Sequence, residues 1–236
     1  MLTYLVIVGP AMILAALAHF WVKSAYSRYS NVPNASGLTG AQAAAEMLAR
    51  EGVRDVKIEA IEGTLSDHYD PSGKVLRLSA DVYNGHSVAA VGIACHEAGH
   101  ALQHAHGYAP LSLRTALVPL ASIGSNISML IFGFGALLAF GAGAGLGMTA
   151  IKIGVVAYSM VVLFQLVTLP VEFNASSRAK AALINNQVIS SGPEADGVNS
   201  VLNAAAMTYV AAAVGGLAEL LYWLIRLGLF SGRDEE

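Results

Sequence analysis

Charge and cysteine are what this 236-residue chain has least of. Only 12% of its residues are charged, 13 basic against 16 acidic, and there is one cysteine. Soluble domains carry roughly 25% charged residues, so the chain as a whole does not read as a soluble enzyme. A lone thiol, Cys95, cannot close an intramolecular disulfide, which excludes a disulfide-stapled scaffold. The net charge of −3 comes with no dense basic stripe, and that speaks against a nucleic-acid partner. The first four residues, Met1 to Tyr4, lack the basic n-region of a cleaved signal peptide, although Ala16-Leu17-Ala18 could serve as a cleavage site. The glycine-rich stretch Gly141 to Gly147 is followed by no Lys-Ser/Thr pair at P-loop spacing, so it reads as a connection or a close helix contact.

What is abundant is apolar sequence: 55% of residues are hydrophobic. They gather into runs long enough to cross a bilayer, which takes about 20 residues. The first is Leu2 to Val22, without a charge; the second covers Leu117 to Leu146; the third runs from Gly154 and stops at Pro170; the fourth spans Ala204 to Leu229 and contains Glu219 and Arg226. Four transmembrane helices are expected. Lys23, Arg28, Arg50, Arg54, Lys57, Lys74, Arg77 and Arg114 fall between the first two runs, and Arg178 and Lys180 between the last two. Lys152 falls at the short second-to-third connection. Ten of thirteen basic residues therefore share one side, which the positive-inside rule makes cytoplasmic.

The polar region lies between the first and second runs. Thr39 suits an N-cap for a helix over Ala41 to Glu51, ended by Gly52. Val53 to Ile61 alternates, Gly63 to Gly73 is turn-rich, and Lys74 to Ser79 reads as a second strand, together a small β-hairpin. Ser87 to Cys95 then leads, free of proline, into His96-Glu97-Ala98-Gly99-His100. On a helix, residues four apart share a face, so both imidazoles can address one ion. This H-E-x-x-H pattern holds Zn²⁺ in catalytic sites, where the glutamate serves as general base toward water. A structural zinc has no need of that carboxylate, so Glu97 argues against a non-catalytic membrane scaffold or adaptor with a structural or vestigial site. The run before His96 is short and polar (Asp81, Asn84, His86), and no span contains an aspartate, which opposes an intramembrane protease. Cys95, adjacent to His96, points about 100° away and reads as a packing thiol.

A third ligand has three candidates. His106 stands where metzincins place theirs, but the glycine that turns their chain back is here Gln103. His104 shares the face of His100, yet about 12 Å of helical rise separates it from His96. Glu172 is better placed. It follows the third run, on the same side of the membrane as the two histidines, where Pro170 would open a new helix or kink the old one. A carboxylate from a separate helix completes a His₂Glu zinc site.

Four segments resemble the YugP-type bacterial membrane zinc metallopeptidases, a neutral zinc metallopeptidase family: H-E-A-G-H-A-L-Q (His96 to Gln103), D-H-Y-D-P (Asp67 to Pro71), K-V-L-R-L-S (Lys74 to Ser79) and the block from Leu169 to Ala179. The chain is more distantly similar to HtpX-like membrane proteases. The resemblance, which covers Gly37 to Ala179, implies a zinc endopeptidase at the membrane surface, with His96, His100 and Glu172 as ligands to one Zn²⁺ and Glu97 as base. The expected fold is a mainly α membrane protein with about four transmembrane helices and a small α+β, zincin-like cytosolic domain built on a β-hairpin and the H-E-A-G-H helix. Its expected parts are a first span (1–22), a cytosolic metallopeptidase region (23–112), a transmembrane hairpin (113–170), a helix carrying the third ligand (171–203), a fourth span (204–230) and a polar tail (231–236). The expected setting is the bacterial inner membrane with the active site on the cytoplasmic side. Expected partners are a protein or peptide substrate and the lipid bilayer, with room for a homo-oligomer or a membrane-protein partner. Oxyanion or substrate contact falls to His68 in the turn, ahead of His86, Tyr69 and Tyr83.

Overall fold

The computed structural model describes residues 1–139 and 144–228; the centre of the glycine-rich connection and the polar tail lie outside them. Ten elements follow in chain order: α1 (Leu2–Tyr29), α2 (Gly40–Arg50), β1 (Lys57–Ile61), β2 (His68–Asp70), β3 (Val75–Ser79), α3 (Ala80–Tyr83), α4 (Val88–Ala105), α5 (Ala109–Ala139), α6 (Ala144–Asn185) and α7 (Pro193–Arg226). The protein is a mainly α membrane protein with a small three-stranded sheet. Among the described residues four helices are long and apolar enough to cross a membrane, within α1, α5, α6 and α7.

Contacts divide the chain into two units. One comprises Met1–Leu17, Leu113–Thr168 and the chain from Tyr209. Its helices carry large apolar side chains outward, among them Val6, Met129, Leu130, Phe134 and Val156. Such a surface is stable in hydrocarbon, where helices satisfy their own backbone groups. Inside this unit Phe132 stacks on Trp223 with ring centroids 4.1 Å apart. The indole N–H of Trp223 donates to Glu219 at 2.8 Å, so the carboxylate inside the fourth span has a local partner. Lys152 lies within α6 rather than in a connection; its long aliphatic stem lets such a residue sit in an apolar helix while the ammonium reaches for water.

The second unit, Ala18–Ser112 with Leu169–Thr208, contains every candidate site residue. Its core is centred on α2 and α4, with residues of β3, α6 and α7 completing it. Ala43, Ala44, Met47 and Leu48 recur on one face of α2, and Val91, Ala94, Cys95, Ala98 and Leu102 on α4, all within one buried cluster. Thr39 caps α2 as expected, in a reciprocal capping box with Gln42. Gly40 allows the close approach: a Cβ there would stand 2.2 Å from the Val82 carbonyl oxygen. Ser87 caps α4, its hydroxyl accepting from the Ala90 N–H at 3.1 Å.

The sheet differs in detail from the sequence reading. Its order is β1-β3-β2, and the two strands foreseen in the sequence, β1 and β3, pair in parallel. The hairpin is instead β2 with β3, antiparallel, with His68 opposite Arg77. Parallel neighbours need a crossover of a dozen or more residues, and the segment read as a turn is long enough to provide one while contributing β2. Asp70 shapes the β2–β3 turn by accepting the N–H groups of Ser72 and Gly73, and it pairs with Arg77 at 3.0 Å. Those bonds hold its carboxyl below the ordinary aspartate range. β3 lies in the middle and is the most buried strand.

Pro170 was expected either to open a new helix or to kink the old one; no new helix begins there, and α6 continues through it to Asn185. Proline removes one backbone donor. Here Val171, Ala175, Ala179 and Leu183, four residues apart and all buried, bind the following turns into the protein, and that packing outweighs the lost bond.

Candidate metal centre

His96 and His100 are one turn apart on α4, with ring centroids 4.9 Å apart and planes at 83°. The opposing element is α6. Gly99 is where the two helices meet most closely: a Cβ on it would stand 2.8 Å from the Ala175 carbonyl oxygen and 3.2 Å from the Ala175 Cα. Backbone cannot yield as a flexible side chain can, so this motif position needs glycine. One turn before Ala175, Glu172 reaches both rings. Its Oε2 lies 3.2 Å from His96 Nε2 and 3.6 Å from His100 Nε2. The three side chains offer ligand atoms within 4.8 Å of one another.

The far side of each imidazole is also engaged. His100 Nδ1 is 2.9 Å from Gln103 Oε1, and His96 Nδ1 is 3.1 Å from Ser176 Oγ. An amide oxygen can only accept, so Nδ1 of His100 carries the proton and Nε2 keeps its lone pair toward Glu172. Gln103 is itself held, its NH₂ donating to the Val171 carbonyl at 2.8 Å and to Asn174 Oδ1 at 3.0 Å. Asn174 Oδ1 also accepts from Arg178 Nε at 2.8 Å. Gln103 is fully buried. The residue that breaks the metzincin pattern is therefore the one that orients a histidine.

Glu97 projects beside the cluster, partly exposed. Among the described residues no hydrogen-bond partner holds its carboxylate. Burial pushes its pKa up; His96 and His100 oppose the shift, while the Glu172 and Asp67 carboxylates add to it. Burial would lower His100, but its bond to Glu172 and the charges of Glu97 and Glu172 outweigh that and raise it. Two carboxylates around two imidazoles create a demand for positive charge. Two nitrogen donors and one oxygen, with both Nδ1 atoms engaged from outside, fit the donor set and outer hydrogen bonding of a zinc site.

The other candidates stand elsewhere. His104 Nδ1 meets the Tyr69 hydroxyl at 2.9 Å, and His106, which ends α4, meets Arg178 Nη1 at 3.2 Å. His68 opens β2 rather than a turn, and its Nδ1 is 2.8 Å from the Ser66 carbonyl. His86 Nδ1 donates to the Gly37 carbonyl at 2.7 Å, and Tyr83 packs against the core. Among the described residues none of these is hydrogen-bonded to the His96, His100 and Glu172 cluster. Cys95 is a buried packing thiol, its pKa pushed up to about 12 by burial and by the Glu46 charge. Sequence reasoning did not find the roles of Gly99, Gln103 and Ser176. The signal for the last two was their spacing, three residues after His100 and four after Glu172.

No solved structure matches the chain. A protein of Bacillus subtilis (strain 168) described as "Putative membrane protease YugP" is 45% identical over 225 residues, covering 95% of this chain and 96% of that protein. The profile of one family matches residues 4–228. The chain therefore belongs to the family described as "Putative neutral zinc metallopeptidase".

Proposed function

We propose that the protein is a membrane-embedded, zinc-dependent endopeptidase that hydrolyses peptide bonds of membrane-associated proteins or peptides at the cytoplasmic face of the bacterial inner membrane. The observation that carries this reading is the convergence of His96, His100 and Glu172, with ligand atoms within 4.8 Å of one another, beside a Glu97 whose carboxylate has no hydrogen-bond partner among the described residues. On this reading those three residues hold one zinc ion in the His₂Glu manner. Bound there, zinc would supply Lewis acidity, polarising a carbonyl and making water acidic enough to ionise near neutral pH.

The chain's own residues do the rest. Gln103 keeps His100 in the tautomer that presents Nε2, and Ser176 engages the His96 ring at Nδ1, fixing its orientation. Glu97 takes the proton of the attacking water on its carboxylate and returns it to the departing amine; its upward-shifted pKa suits a group that must both accept and release a proton. His68 serves as a substrate contact from the edge strand β2. With Nδ1 donating to Ser66, its neutral ring offers Nε2 as an acceptor, so donation to an oxyanion requires the imidazolium. The cytoplasmic placement rests on the ten of thirteen basic residues that share one side, with region 23–112 on that side.

The test is hydrolysis of internally quenched peptides by the purified protein in nanodiscs. Removal of metal with 1,10-phenanthroline is expected to abolish cleavage, and stoichiometric Zn²⁺ to restore it. Protein that carries one zinc per chain and cleaves no peptide pool would instead support the scaffold role.

The outer hydrogen bonds give a separate expectation. Gln103→Met keeps the volume but removes the acceptor at His100 Nδ1 and the donor to Val171 and Asn174. Zinc affinity is expected to fall by about 10–100-fold, read by competition with a fluorescent chelator. An unchanged Kd would show that Gln103 only fills space.

A further inference from the structure

Besides the metal centre, the second unit contains an open cleft of about 730 Å³ between the end of α1, helix α3 and the start of α4. One of its walls is Ala90, which lies seven residues before Glu97. Seven residues are two helical turns, so both project from the same face of α4, about 10 Å apart along the axis. The cleft therefore flanks the reaction centre on the Glu97 side of the helix.

Its lining has one chemical bias. Asn31 and Asn84 both turn their NH₂ groups back to their own helices, onto the carbonyls of Ser27 (2.9 Å) and Ala80 (3.2 Å). A carbonyl only accepts, so in each case the amide oxygen is the atom left over. Ser30 likewise spends its hydroxyl proton on the Tyr26 carbonyl. His86 donates Nδ1–H to the Gly37 carbonyl, leaving an Nε2 lone pair. Asp81 adds a full negative charge, and among the described residues no basic group pairs with it. Among the described residues no lysine or arginine lines the cleft. The hydroxyls of Tyr26 and Ser87 also line the cleft, but its one charged side chain is the Asp81 carboxylate, ringed by the acceptors of Asn31, Asn84 and His86, and that set is complementary to a positively charged group rich in donors. Its walls are fixed from behind, because Asn34 bonds the His86 carbonyl through both its backbone N–H (2.9 Å) and its side chain (2.6 Å).

We propose that this cleft is a subsite for a basic side chain, lysine or arginine, of the polypeptide substrate, and that Asp81 selects it. The inference rests on the peptidase reading for the word substrate, but the binding of a cationic side chain can be measured without turnover. The probes are two fluorescein-labelled nonapeptide pools, randomised alike, with arginine or its neutral isostere citrulline at the central position. They are titrated by anisotropy against the zinc-loaded Glu97→Gln protein in nanodiscs, with and without Asp81→Asn, and zinc content is measured on every sample.

The arginine pool is expected to bind about tenfold more tightly than the citrulline pool, one charge-assisted contact at an open site. Asp81→Asn is expected to erase that difference. Equal binding of the two pools, or a preference that survives Asp81→Asn, overturns the proposal. Spermidine is the control for a free amine: Asp81-dependent binding of spermidine without any preference for the arginine pool overturns the peptide subsite too. The two readings separate in a parallel hydrolysis assay of the unsubstituted protein. An Asp81-dependent arginine preference in binding, with no cleavage of either pool, retains the cleft and removes the peptidase reading. Cleavage without preference does the reverse.

Discussion

Glu97→Gln is expected to lower kcat/KM for peptide hydrolysis by about 10²–10⁴-fold, the range for loss of a general acid–base group, while zinc stays at one per chain. The substitution is nearly isosteric and touches none of the contacts that arrange the cluster. His96 and His100 still face Glu172 across 3.2 and 3.6 Å, and Gln103 and Ser176 still hold the outer nitrogens. Only proton transfer is removed, since an amide cannot take a proton from water and return it to an amine. Metal analysis and steady-state kinetics on the same preparation check this. A variant that keeps its zinc and its rate would sink the assignment of Glu97 as base. A variant that loses zinc would show that the carboxylate belongs to the metal centre rather than to the reaction.

Much of this arrangement was legible in the chain, and what was not has a physical explanation. The H-E-x-x-H pair is local: its geometry follows from helical periodicity, so reading it needed only a helix over Ser87 to Cys95. Glu172 is not local, being 76 residues from His96, and it was reached by the side of the membrane on which the basic residues fall. Pro170 alone could not decide between a new helix and a bend in the old one; the buried stripe Val171, Ala175, Ala179 and Leu183, which holds one helix together across it, decides that in the fold. The parallel pairing of β1 with β3 was invisible because His68-Tyr69-Asp70 is too short to show an alternating pattern, and without β2 a hairpin was the simplest reading. Gln103 stood out as a missing glycine and as the end of the H-E-A-G-H-A-L-Q block, but no role could be read for it. Its role depends on Val171 and Asn174, which the fold alone brings to it.

Removal of Glu172 is the prediction with the largest effect on the metal. Glu172→Gln is expected to reduce zinc affinity by more than the roughly 10–100-fold that loss of an outer hydrogen bond costs, and to abolish hydrolysis with it. Three properties of the residue lead there. It is 2% exposed, so water cannot easily take its place. It supplies the one anionic donor of the three, and the amide that replaces it keeps the volume but not the charge. It also faces both Nε2 atoms, so it is the charge against which the two rings are arranged. Because glutamine preserves packing, a cooperative thermal transition close to that of the parent is expected, which separates loss of metal from loss of fold. Glu172→Ala should lose zinc too, with an added penalty from the cavity it leaves. The histidines that competed for the third position provide the contrast. His104→Ala and His106→Ala remove contacts to Tyr69 and Arg178 but no atom of the cluster, and both variants are expected to retain one zinc per chain. Zinc retained by Glu172→Gln and lost from His106→Ala would overturn the ligand set, because it would require the end of α4 to turn back toward His96 in a way that the Arg178 contact opposes.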